Sequence, residues 1–334
     1  MAADPRPCAR EPADEAAFYE LAVRAPHGRW LGGDLPASID LGDGRVLWLF
    51  GDTLVGALGG DGSLAPGTRY WHNTALVQVG GCVDFLDTGG PSWLAIPDTP
   101  DWWWPSGGYV RDDIVHVFVQ RVTRTGPGVF DFRPVSAEMV RLRLADLGVI
   151  DATPLPHQER LWATSVVTRG RWAYLYGGTH APGPDTFIAR APADDPRGPW
   201  RFWDGARWAP DPAVARPVLS HPPFNNPHMA VLPDGGFLAV AKDRELIGSD
   251  VIGWTAHAPQ GPWRPLRAPL VTPPPPAPGS HTYMGVAHPA VALAGGAVLV
   301  SWNIGSLSTD VAAAHASGYG PRFDAIELPE RSER

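Results

Sequence analysis

Lysine is nearly absent from this chain: of its 27 basic residues only Lys242 is a lysine, and the arginines are scattered without a run. With a net charge of -8, this argues against a nucleic-acid or anionic-membrane partner, because both require a basic patch. Cysteine is almost as scarce, with only Cys8 and Cys82 in 334 residues. No CxxC or HExxH spacing occurs, so no metal or other cofactor is assigned. Two cysteines without a secretory pattern are expected to be free thiols rather than a disulfide. No apolar run approaches the roughly 20 residues of a membrane helix, and charges stand where a signal peptide needs an apolar stretch. The chain is therefore expected to be soluble and cytoplasmic.

What the chain has in quantity is glycine and proline, 38 of each, with 15 tryptophans and 44% hydrophobic residues. Glycine and proline punctuate the sequence into short pieces, and the apolar share is enough for a large core, so a helical protein is excluded in favour of many short strands. Self-similarity sharpens this. A strand, a Gly or Asp-Gly turn and a second strand rich in aromatic and β-branched residues recur at 37–50, 108–119, 163–176, 229–240 and 290–301. Further β-patterned segments follow each copy. Repeated antiparallel units around an axis solve the edge-strand problem by radial repetition. The reading is an all-β, five-bladed β-propeller with four-stranded antiparallel blades around a central funnel. It forms one domain over residues 1–334, with an N-terminal segment at 1–25 and a C-terminal tail at 324–334. Gly198-Pro-Trp200 and Gly261-Pro-Trp263 recur after outer strands, where tryptophan is expected to pack between blades.

Two carboxylates stand out against this frame. Asp34 follows Gly33 and Asp52 follows Gly51, one on each side of a hairpin whose turn is Asp43-Gly44. Pairing of 38–41 with 45–50 returns both carboxylates to the same end of that hairpin. Two carboxyl groups on one rim are what glycoside hydrolysis requires, one as acid and the other as base or nucleophile. The competing reading is that each aspartate merely caps a turn. Glu159, just before the inner strand of the third unit, is the preferred third acid over Glu245.

Residues at the inner-strand starts of all units should converge on the funnel, and the polar and aromatic ones become candidate substrate contacts. They are Asn73 in the first unit, Trp103 and Trp104 in the second, and Trp162 in the third. The fourth gives Asn226 and His228, and the fifth His281, Tyr283 and His288. Three tryptophans in a row at 102–104 cannot all face one way on a strand, so at least one must pack. Asp112-Asp113 reads as a β-turn.

Gly-Gly-Asp34, Leu-Phe-Gly-Asp52-Thr, His72-Asn73, Gly-Pro-Trp263, His288-Pro289, Val-Ser-Trp-Asn303 and Tyr319-Gly-Pro-Arg-Phe323 come in an order that resembles the five-bladed propeller glycosidases. Within them, it resembles the formerly uncharacterised propeller family that includes endo-D-arabinanases. The resemblance runs from about Trp30 to Phe323. It implies that Asp34 and Asp52 carry the chemistry at a furanosyl, arabinofuranosyl-type linkage, and it adds Asn303 to the substrate contacts. The implied partner is an oligosaccharide or small glycoside. Two alternatives stay open. One is a secondary-metabolism tailoring enzyme, a cyclase or lyase, using the same funnel; the other is a propeller that binds a sugar or a protein without catalysis.

Overall fold

The computed structural model describes residues 30–328 except 89, 129, 182, 221–226, 245–247 and 307–318. The protein is all-β. Among the described residues the helical content is two short 3-10 turns, Pro212–Val214 and Ala294–Gly296, and no helix is long and apolar enough to cross a membrane. The strands form six antiparallel sheets.

Sheet one contains Ala37–Asp40, Arg45–Phe50, Thr74–Val79 and Cys82–Phe85, in that order. Sheet two contains Trp102–Arg111, Ile114–Arg124, Phe132–Arg143 and Val149–Pro154. Sheet three runs Leu161–Arg169, Trp172–Gly178, Asp185–Pro192, Arg201–Trp203 and Trp208–Ala209, with Leu219–Ser220 also pairing on its third strand. Sheet four contains His228–Val231, Phe237–Lys242, Val251–Ala256 and Arg264–Pro265, and sheet five Ser280–Ala287, Val298–Ser306 and Gly320–Ile326. The remaining small sheet joins Trp30–Gly33, Thr53–Val55 and Arg69–Trp71.

The hairpin turns sit where their chemistry places them. Gly44 adopts φ 88 in the Asp43-Gly44 turn, and Asp112 adopts φ 53 between the first two strands of sheet two. Both conformations are left-handed, which glycine tolerates freely and aspartate better than most residues. The repeat at 290–301 is the exception to the sequence reading. Its first strand is Ser280–Ala287, ten residues upstream of the expected start, and 290–297 is a turn. Pro289 cannot donate to a ladder, and the alanines and glycines after it offer little to bury. Gly295 and Gly296, at φ 69 and φ 78, complete the reversal.

Packing joins the sheets in sequence. Val115, Val117 and Val140 of sheet two meet Ile39, Leu47 and Leu49 of sheet one. Phe118 and Met139 meet Trp162, Leu175, Phe187 and Trp200 of the third unit. Tyr176 and Ile188 meet Phe237 and Trp254 of sheet four, and Leu238 and Val240 meet Val300 and Trp302 of sheet five. A last cluster brings Leu299 of sheet five against Trp48, Phe50 and Leu76 of sheet one. Each interface is built from large apolar side chains, worth roughly 1.5–3 kcal/mol apiece when fully buried. Trp200 is buried and Trp263 packs beside Tyr176, as the repeated Gly-Pro-Trp motifs predict.

Cys82 is disulfide-bonded, which corrects the free-thiol expectation; Cys8 lies outside the described residues. Scarcity of cysteine and a missing secretory pattern said nothing about which parts of the chain meet in space.

Candidate active site

The start of sheet one sets the two carboxylates side by side. The Asp34 N–H donates to the Asp52 carbonyl at 3.0 Å, and the Gly51 N–H donates to the Asp34 carbonyl at 2.8 Å. The hairpin expected from Asp43-Gly44 thus brings its two aspartates together by main-chain bonds. Gly51 is required by the fit: a Cβ there would lie 2.7 Å from Asp34 Oδ1 and 2.8 Å from Leu35 Cδ1. Leu35 takes a left-handed φ of 49 immediately afterwards.

The two carboxyl groups live in different environments. Asp52 accepts from Tyr70 Oη on Oδ2 at 2.8 Å and from Trp104 Nε1 on Oδ1 at 2.9 Å, and His72 Nδ1 lies 2.9 Å from the same Oδ1. Its side chain keeps 15% exposure, so it can be approached from solvent. Asp34 is half-buried. Tyr283 Oη donates to its Oδ2 at 3.0 Å, while its Oδ1 is buried with no hydrogen-bond partner. Burial first, and then the Asp52 charge, push the Asp34 carboxyl well above the usual carboxylate range. Burial raises the phenols of Tyr283 and Tyr319 above their ordinary value, so both remain proton donors, as does Tyr70, 45% exposed, in its bond to Asp52. Tyr319 Oη donates to the Asp52 carbonyl at 2.8 Å, fixing the turn from the far end of the chain.

Aromatic rings brace this centre. His72 stacks on Trp102 with centroids 4.1 Å apart, Arg124 lies 5.7 Å over the same Trp102 ring, and Trp104 meets Phe132 edge-on at 4.8 Å. Trp104 also lines a cavity of about 160 Å³ bounded by Leu35 and Pro36, Ser106 and Gln120, Thr164, His228, and Met284 and Val286. These come from the beginning or first strands of sheets one to five, with Gln120 on the second strand of sheet two.

Of the residues singled out from sequence, Asp34, Asp52, Trp104 and Tyr283 come together here, and His228 lines the adjoining cavity. The others do not join them. Glu159 is 40% exposed, accepts from Trp162 Nε1 at 3.1 Å and lies beside His157, with no bond to either aspartate. Trp162 is fully buried against Trp200 and Phe202. Trp103 is buried and donates to Glu138, which makes it the packing member of the triple tryptophan. Asn73 is buried and spends both amide ends on main chain: Nδ2 on the Leu94 and Trp103 carbonyls, Oδ1 on the Leu94 N–H. Asn303 is equally buried and donates to the Gly33 carbonyl at 3.1 Å. His288 bridges Ser38 Oγ and Ser301 Oγ between sheets one and five, and His281 packs on Tyr283 at 5.0 Å. Asn226 lies outside the described residues.

The sequence reading held Tyr70, His72 and Tyr319 only as members of motifs, with no contact assigned to them, and passed over Gln120. A signal for two of them existed: Tyr70 and His72 are two apart and so share one face of an extended chain, the face opposite Asn73. Tyr319 had no local signal, since its partner is 267 positions away.

Solved structures share this fold. A Bacteroides ovatus protein, whose assignment as a hydrolase is itself provisional, superposes with TM-score 0.77 at 18% identity, covering 92% of this chain and 88% of that one. A GH43 protein of Bacillus licheniformis gives 0.54 at 14% identity, covering 91% of this chain and 54% of its own. An endo-arabinase of Bacteroides thetaiotaomicron gives 0.51 at 10% identity, covering 90% and 95%. The fold is therefore that of the GH43 propeller enzymes. No curated protein matches the sequence. The chain belongs to the family described as Domain of unknown function (DUF5005), whose model matches residues 17–327.

Proposed function

We propose that this protein is a glycoside hydrolase acting on a furanoside, arabinofuranosyl-type linkage with Asp34 and Asp52 as its paired carboxyl groups. The observation that carries the reading is Asp34, its Oδ1 buried without a partner and its pKa raised, held by main-chain bonds against an Asp52 that has three side-chain partners. Neighbouring carboxyl groups whose environments differ in this way divide into a proton holder and a charged partner. Asp34, protonated, gives its proton to the glycosidic oxygen. Asp52, steadied by Tyr70, His72 and Trp104, acts at the anomeric carbon, either directly or through a water. Several neighbours of this fold being GH43 glycoside hydrolases supports the class of chemistry.

The architecture we infer is a single-domain, five-bladed propeller, its blades being sheets one to five and its funnel the cavity they share. Support comes from the five core clusters that link successive sheets and return from sheet five to sheet one. The small sheet then caps the carboxylate end.

The test is release of arabinose from arabinofuranosyl oligosaccharides, whose alcohol leaving group needs the proton of Asp34, with the matching pyranosides alongside. Turnover of the furanosides that falls at least about 100-fold in Asp34→Asn and in Asp52→Asn supports the assignment; turnover unchanged in either variant refutes it. Proton NMR of the first-formed anomer then separates retention from inversion.

A further inference from the structure

The cavity beside the carboxylates has a construction that the carboxylates do not explain. Four of the elements around it carry a left-handed residue at the cavity: Leu35 at φ 49, Gly107 at φ 131, Ala163 at φ 59 and Met284 at φ 53. In three of these the strand register also shifts, between Pro105 and Gly107, Trp162 and Ser165, and Tyr283 and Gly285. Three of the four are not glycine, so the conformation is strained. Strain of this kind persists where the surroundings over-determine it, as at ligand sites.

Two polar groups in the wall are left unmatched. Gln120, 7% exposed, donates through Nε2 to the Trp162 carbonyl at 3.1 Å. A carbonyl can only accept, so the amide's orientation is fixed and Oε1 is the free acceptor; it is buried with no partner. His228 Nδ1 is likewise buried with no partner. A buried group without its hydrogen bond carries an uncompensated desolvation penalty that a suitable ligand removes.

We propose that this cavity is a binding pocket for one uncharged, hydroxyl-bearing sugar ring, with Gln120 and His228 reading its hydroxyls. The substrate class rests on the glycoside-hydrolase reading above. Size sets the limit of one ring: a cavity of about 150 Å³ takes a benzene-sized molecule, and this one holds about 160 Å³. Charge sets the second limit. Among the described residues no acidic or permanently cationic side chain lines the cavity, and burial holds the His228 imidazole down to a pKa of about 4, hence neutral. A uronate or sugar phosphate would enter without a counter-charge. The remaining walls, Leu35, Pro36, Trp104, Met284 and Val286, suit the C–H faces of a ring whose edges carry the hydroxyls. The pocket would therefore receive a terminal residue rather than the middle of a polymer.

Titration calorimetry of the intact chain with xylose and with arabinose tests this, alongside Gln120→Leu, His228→Phe and Asp52→Asn. The expected result is binding of at least one sugar by the wild type and by Asp52→Asn, weakened about tenfold or more in Gln120→Leu and His228→Phe. Equal binding by wild type and Gln120→Leu overturns the inference, as does stronger binding of glucuronate than of the neutral sugars. A sugar-soaked wild-type crystal keeps the test independent of variants that fail to fold: density for a ring between Gln120 and His228 supports the proposal, and water alone there refutes it. Sugar in the pocket with turnover undiminished in Asp52→Asn would leave this inference standing and remove the catalytic assignment instead.

Discussion

At the scale of single residues, Asp34 is a group whose proposed role opposes stability. Its folded-state pKa is raised, chiefly by burial, so the native state favours the protonated carboxyl. That contribution is present at low pH and is lost as the pH rises above the unfolded value near 4 toward the folded one. Asp34→Asn presents a neutral group of the same shape at every pH. It should raise the thermal unfolding midpoint at pH 7 while removing turnover, the usual exchange at an active-site strain. A midpoint that falls by several degrees would contradict this account. The same logic assigns the alkaline limb of the kcat/KM profile to Asp34. Because the Asp52 charge is the second cause of the shift, residual activity in Asp52→Asn should show that limb at lower pH.

At the scale of elements, the turn Gly51-Asp52 matters more than the strands it joins. Gly51→Ala would push its Cβ into Asp34 Oδ1 and Leu35, without asking the backbone for a disallowed conformation. The expected outcome is a loss of about tenfold or more in kcat with a near-native circular dichroism spectrum; unchanged kcat would show that the carboxylate spacing is forgiving. The hairpin itself was legible, because Asp-Gly between two apolar runs specifies a turn by local chemistry. The strand starting at Ser280 was not. Its signal competed with an alternating Ala-Val-Ala-Leu run, and only the pairing of Tyr283 with Asn303 and of Val286 with Ser301 selects it.

At the scale of the whole molecule, sheets five and one are in contact, and His288 is the polar pin of that contact. The imidazole bridges Ser38 and Ser301 and packs against Trp48 at 4.8 Å. Burial lowers its pKa well below the ordinary value and brings His116 and His228 to about 4. A histidine buried neutral contributes stability that is full above the unfolded value near 6.5 and is lost as the pH falls through the window below it. Asp34 works in the opposite direction over part of that range, but three histidines outnumber it. The urea midpoint should therefore drop between pH 7 and pH 5, and His288→Leu should remove part of that drop while costing about 1–3 kcal/mol at pH 7. A pH-independent midpoint would exclude these histidines as the acid trigger. The disulfide at Cys82 gives a separate check: alkylation without reductant should leave Cys82 unmodified.

By itself the sequence determined the all-β class, four of the five hairpin units and the pairing of Asp34 with Asp52. Alternation, turn residues and composition act over a few positions and need no tertiary partner to be read. Tertiary structure alone decided which polar residues serve the site. Asn73 and His72 are adjacent, yet one is spent on main-chain carbonyls and the other faces Asp52. His228 opens the first strand of sheet four and lines the cavity, whereas His288 follows the end of the first strand of sheet five and pins two sheets. Which polar atoms are left free is a balance of hydrogen bonds over the whole fold, and that balance is fixed only when residues as distant as Asp52 and Tyr319 have met.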